Sequence, residues 1–139
     1  MTTYKIALFS VRGQPPHLGH VLTIMRIYPL YTKIIVGISE NTYGGSKKQV
    51  IHPKRVRKIF KDVFQHLPKI EVISLGKGIS SMLLSGKQSM LPKFDVIVSG
   101  NVDFLREMEK LGFKTRFVER SKGLAGWSGT ELREALNWE

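Results

Sequence analysis

The chain of 139 residues contains no cysteine. That excludes disulfide staples, thiolate nucleophiles and cysteine-based zinc sites, and it fits a reducing compartment, so a cytoplasmic location is expected. Acidic residues are scarce as well: 11 Asp and Glu stand against 22 Lys and Arg, for a formal net charge of +11. No acid occurs between Glu40 and Asp62. No apolar run is long enough to cross a bilayer, and Met1 to Lys5 leads straight into a strand-like segment, so neither a membrane span nor a signal peptide is expected. The four histidines have no Cys and no Glu/Asp cluster to complete a tetrahedral set, so no metal held by the protein's own side chains is expected.

What is present is a hydrophobic fraction of 42% with a mean hydropathy of −0.10. This suits one globular domain, residues 1–139, large enough to bury a core. The charge excess and an isoelectric point near 10.1 imply polyanionic partners, either phosphorylated small molecules or nucleic acid. Much of it lies in Lys47, Lys48, Lys54, Arg55, Arg57, Lys58 and Lys61. A solvated helix face accounts for such a run as well as a contact surface does.

Short apolar runs at 5–9, 33–37, 70–74, 94–99 and 114–118 read as strands bounded by Gly, Pro or charge. Between them, Val21, Leu22, Met25 and Tyr28 are expected to share one helical face. Val56, Ile59, Phe60, Val63, Phe64 and Leu67 follow helical spacing, as do Val102, Leu105, Met108 and Leu111 before Gly112. A short helix is expected around 79–84. The alternation predicts an α/β fold: a Rossmann-like, five-stranded parallel sheet with helices on both faces. Ligands in such sheets bind beyond the carboxyl ends of the strands, where the strand order reverses.

Two turns fall at that edge. The first strand runs into Val11-Arg12-Gly13-Gln14-Pro15-Pro16-His17-Leu18-Gly19-His20. His17 and His20 stand one helical turn apart, and Gly19 lets the backbone approach a ligand. A helix N-terminus there offers unpaired N–H groups and partial positive charge to phosphate. The fourth strand runs into Ser99-Gly100-Asn101, a turn of small residues opening another helix.

Near the C-terminus comes Trp127-Ser128-Gly129-Thr130-Glu131-Leu132-Arg133. Ser128 and Glu131 match a capping box, which explains both without any function. Thr130 and Arg133 are not required by that pattern; a hydroxyl and a guanidinium one turn apart suit phosphate oxygens. Trp127 either stacks on a ring or packs the final helix.

The H-x-G-H and S-G-T-E-L-R strings, in this order and spacing, resemble the nucleotidyltransferases with an adenylyltransferase-like Rossmann fold. The likeness is strongest to archaeal-type nicotinamide mononucleotide adenylyltransferases, whose G-R-F-Q-P-x-H-x-G-H stretch is matched by residues 11–20. Phe94 to Asn101 resembles the family's strand and S-G-N turn. The resemblance covers most of the chain and is weak across 65–92.

It implies transfer of the adenylyl group of ATP to nicotinamide mononucleotide, giving NAD and pyrophosphate. His17, His20 and Arg12 would stabilise charge at the α-phosphate. Gly19 would lie against the nucleotide, and Gly100 and Asn101 would line the nucleoside pocket. Ser128, Gly129, Thr130 and Arg133 would hold the departing phosphates. Arg55 would hold the acceptor phosphate, and Trp127, next to the S-G-T motif, is the other candidate for binding the acceptor. Mg²⁺ would be held mainly through the substrate phosphates. Val11 stands where the family has Gly, and Lys54 where an acidic residue is common.

His52 is expected to border the acceptor site, and His66 to sit at a helix end. Two other readings stand beside this one: the same reaction with CTP or another phosphorylated acceptor, and a non-catalytic nucleic-acid-binding relative. The sequence leaves a homo-oligomer open.

Overall fold

Five strands, all parallel, form one sheet in the order β3-β2-β1-β4-β5. They are β1 (Ile6–Val11), β2 (Lys33–Ile38), β3 (Ile70–Ser74), β4 (Val96–Ser99) and β5 (Thr115–Phe117). The helices are α1 (Leu18–Ile27), α2 (Pro53–Val63), α3 (Ile79–Leu84) and α4 (Val102–Lys110), with 3-10 turns at Tyr28–Leu30 and Gln88–Met90. This computed structural model describes residues 5–11, 18–39 and 52–119. Among them no helix is long and apolar enough to cross a membrane.

The inner strands β1, β2 and β4 are buried on both faces, which is why they read as near-continuous apolar runs, whereas the edge strands β3 and β5 are partly exposed. Side chains alternate: Ala7, Phe9 and Val11 join one core with Ile34, Val36, Ile38, Val96 and Val98, covered by Ile24, Ile27, Val56 and Phe60. Leu8, Ile35 and Ile97 point the other way and pack with Ile79, Leu105 and Met108. Thus α1 and α2 cover one face, and α3 and α4 the other.

The face expected for α1 is corrected. Leu22 and Met25 are exposed, whereas Thr23, Ile24 and Ile27 are buried. The segment LGHVLTIMRI is apolar nearly all round, so its periodicity does not select a side; the position of the sheet does. On α2 and α4 the charged residues mark the outer face, and Val56, Phe60, Leu105 and Met108 are buried as expected. Val63, Val102 and Leu111 at the helix ends are exposed.

Two local devices fix the frame. Asp95 Oδ2 accepts from the backbone N–H groups of Ile6 (2.8 Å) and Lys5 (3.1 Å), locking the amino ends of β1 and β4 together. Gly112, at φ +93°, ends α4. Its N–H donates to Glu109 and that of Phe113 donates to Met108, the paired bonds of a Schellman turn.

Candidate functional site at the carboxyl edge of the sheet

In the strand order β3-β2-β1-β4-β5, the chain progresses in one direction from β1 to β3 and then returns to the other side of β1. The order therefore reverses between β1 and β4, and in sheets of this kind a ligand crevice is expected beyond such strand ends, here Val11 and Ser99. These are the strand ends at which the two sequence turns were expected.

On the β1 side the chain re-enters as α1. Its first turn carries Gly19, which is buried, and His20, which is half-buried. Thr23, itself buried, donates its Oγ1 proton to the Gly19 carbonyl at 2.8 Å, tying that turn to the helix behind it. The His20 ring meets Phe60 of α2 in a T-shaped contact, with centroids 5.7 Å apart and planes at 74°. Phe60 stacks in turn on Phe64, with planes at 6°. Sequence periodicity placed Phe60 in the core; its role as a wall for His20 was not legible, because the two are 40 residues apart in the chain.

On the β4 side, Ser99 is buried and its Oγ accepts from the Asn101 N–H at 3.1 Å. Asn101 caps α4, its Oδ1 accepting from the Phe104 N–H at 3.1 Å. That leaves Nδ2 as the polar group Asn101 has to offer a ligand. Gly100, half-buried between them, completes the turn.

Arg55 is exposed in the first turn of α2. His52 caps that helix: Nδ1 accepts from the Lys54 N–H at 3.2 Å, which assigns its ring proton to Nε2. Sequence reading placed His52 near the acceptor site without seeing this cap. A cap followed by proline at the first helical position was the available signal.

The three helix starts differ electrostatically. Those of α1 and α2 carry no acidic residue, so no side-chain anion in their first turns offsets the positive end of the helix dipole. The first turn of α4 contains Asp103 and is capped by Asn101, which suits it to a neutral ligand group rather than a phosphate. Val11, where a glycine was the family norm, is 8% exposed and packs into the α1/α2 core rather than into the crevice. Among the described residues no group of three His, Cys, Asp or Glu side chains could hold a metal ion. Arg12, His17, Trp127, Ser128, Gly129, Thr130 and Arg133 lie outside the described residues. His66 is exposed just beyond α2.

No protein-family model matches this chain. Curated relatives do. A nicotinamide-nucleotide adenylyltransferase of Thermoplasma volcanium is 28% identical over 144 aligned residues, spanning 92% of this chain and 75% of that protein. Another, of Archaeoglobus fulgidus, is 27% identical over 149 residues, spanning 96% and 83%. Among solved structures, a bifunctional NMN adenylyltransferase/ADP ribose pyrophosphatase of Francisella tularensis superposes with a TM-score of 0.72 at 18% identity, covering 95% of this chain. The chain spans 42% of that larger protein. A second structure of that protein holds AMP and a manganese ion. The fold is thus the Rossmann-like one seen in NMN adenylyltransferases, and the expected resemblance to that family extends along nearly the whole chain.

Proposed function

We propose that this chain transfers the adenylyl group of ATP to nicotinamide mononucleotide, releasing NAD and pyrophosphate. One observation carries the reading: His20 on α1 and the Ser99-Gly100-Asn101 turn before α4 flank the same strand-order reversal, between β1 and β4. The names of the archaeal relatives supply the substrates.

In this reading an oxygen of the mononucleotide phosphate attacks the α-phosphorus of ATP in line, and the bond to the bridging oxygen of the departing pyrophosphate breaks. The attacking group is already an anion and needs no general base. Catalysis then rests on positioning and on cationic stabilisation of the transferring group. His20, with His17 and Arg12, serves the α-phosphate; the N-terminus of α1 and Gly19 approach the phosphate chain. Gly100 and Asn101 take the neutral nucleoside, in keeping with an α4 start already balanced by Asp103. Ser128, Gly129, Thr130 and Arg133 hold the leaving phosphates. Arg55, at the acid-free start of α2, takes the acceptor phosphate, with Trp127 beside the acceptor.

A donor set of imidazole, amide and guanidinium groups fits a divalent ion carried by the phosphates and water rather than by carboxylates. Mg²⁺ bound in that way supplies charge neutralisation.

The test is to mix the purified chain with ATP, Mg²⁺ and nicotinamide mononucleotide, following NAD and pyrophosphate together. Equal amounts of both are expected. ATP binding without either product would send the search to other phosphorylated acceptors, and turnover with CTP in place of ATP would overturn the choice of nucleotide.

A further inference from the structure

We propose that the outer face of α2 is a docking surface for the phosphate backbone of double-stranded nucleic acid, separate from the nucleotide site. The first observation is uneven charge. Along PKRVRKIFKDV, α2 carries five cations, Lys54, Arg55, Arg57, Lys58 and Lys61, against the single acid Asp62, a net +4. Along VDFLREMEK, α4, covering the opposite face, carries two cations and three acids, a net −1. An excess that served solubility alone would have no reason to gather on one helix.

The second observation is arrangement. At about 100° per residue, Lys54, Lys58 and Lys61 fall on one line of the helix, with Arg57 at its border. The three lysines are exposed and Arg57 is half-buried. Arg55 lies about 100° round from Lys54, off that line. From Lys54 to Lys61 the helix rises about 10 Å, close to three of the 3.4 Å steps of a duplex strand. Among the described residues the one ion pair on this helix is Lys58 with Asp62, 3.1 Å, its side chains 76% and 63% exposed. So exposed a pair gives way readily to a stronger anion.

The third observation selects the partner. The apolar side of α2 is nearly all spent: Val56 and Phe60 are buried at 1% or less in the core, and the one exposed large apolar side chain is Val63 in the last turn. The helix therefore cannot turn an apolar face into a lipid layer or a protein groove. Nor does its cationic line include an aromatic side chain on which unpaired bases could stack. What remains is a rigid row of cations matched to a regular polyanion, read through its phosphates and without base sequence.

The test measures anisotropy of a labelled DNA duplex of about 20 base pairs titrated with the full chain between about 50 and 200 mM salt. Three or four phosphate contacts predict a slope of log K against log salt of about −3 to −4. Lys58→Gln/Lys61→Gln should lower that slope by about 2 and weaken binding at least about tenfold at the lowest salt. The control, Lys87→Gln/Lys93→Gln, removes the same charge from exposed positions elsewhere and should leave binding within about threefold. Both double variants should retain the wild-type melting temperature and rate of NAD formation, and saturating MgATP should not displace the duplex. The slope comparison stands even if no NAD is made. Equal losses in the two variants, displacement by ATP, no duplex binding, or binding to phosphatidylserine vesicles without binding to duplex would each overturn the proposal.

Discussion

His20 and Phe60 form an edge-on ring pair, 5.7 Å between centroids and 74° between planes, that joins the first turn of α1 to the middle of α2. Phe60 is 1% exposed and rests against Phe64, so the wall behind His20 belongs to the rigid core. In the proposed site the placement of the imidazole therefore rests in part on a core side chain from another helix. Phe60→Leu should lower turnover about tenfold through misplacement of His20, at a stability cost of about 1 kcal/mol. Turnover measured well below the melting temperature separates the two effects; an unchanged kcat would show that the ring does not position His20.

His20→Ala removes the donor itself. The expected result is a folded protein whose kcat falls by about 10²–10³. A thermal melt beside the steady-state assay checks it, since a large drop in melting temperature would point to a packing role instead.

Arg55→Ala addresses the acceptor. Loss of a charge-assisted hydrogen bond of about 1.5–3 kcal/mol predicts a rise in KM for nicotinamide mononucleotide of about 10- to 100-fold. The KM for ATP should stay within about threefold. A change confined to ATP would reassign this arginine.

The His52 cap holds the turn that presents Arg55. His52→Ala should cost about 1 kcal/mol and lower the melting temperature by a few degrees, about 2–6 °C. His52→Asn, which restores an acceptor to the same N–H, should recover most of that loss. Equal melting temperatures for the two variants would show that the 3.2 Å contact contributes little.

At Gly37 in β2, an added Cβ would lie 2.7 Å from Leu75 Cγ and 3.3 Å from Leu8 Cδ1. Gly37→Ala should therefore destabilise the sheet by about 1–3 kcal/mol, as overpacked cores do. Urea denaturation reads this directly, through a lower midpoint at an unchanged slope.

Much of the architecture was legible in the chain because a parallel sheet covered on both faces leaves an unambiguous mark. The apolar runs of β2 and β3 stand between charged or turn residues, and Gly112 ends α4 where the pattern said it should. Boundaries slipped where local chemistry was mixed. Ser10 interrupts the apolar run of β1, which nevertheless continues to Val11, paired with Ile38. Asp95, expected inside a strand, instead uses its carboxylate to tie β1 to β4 ahead of Val96. The site was legible in part. Small residues after strand-like runs pointed to the Ser99-Gly100-Asn101 turn and to Gly19, and among the described residues Gly19, His20, Gly100 and Asn101 fall at the edge where they were expected.

The sequence by itself determined the alternation of strand and helix, the excess of positive charge, and which side of α2 and α4 faces inward. Those features are written in nearest-neighbour spacing and charge, which need no knowledge of what lies across the sheet. Only the tertiary structure decided which side of the nearly all-apolar α1 is buried, that β4 lies against β1 rather than β3, and that Phe60 stands behind His20. Each of these depends on contacts between segments tens of residues apart, and packing, not local pattern, selects among the arrangements that the chain allows.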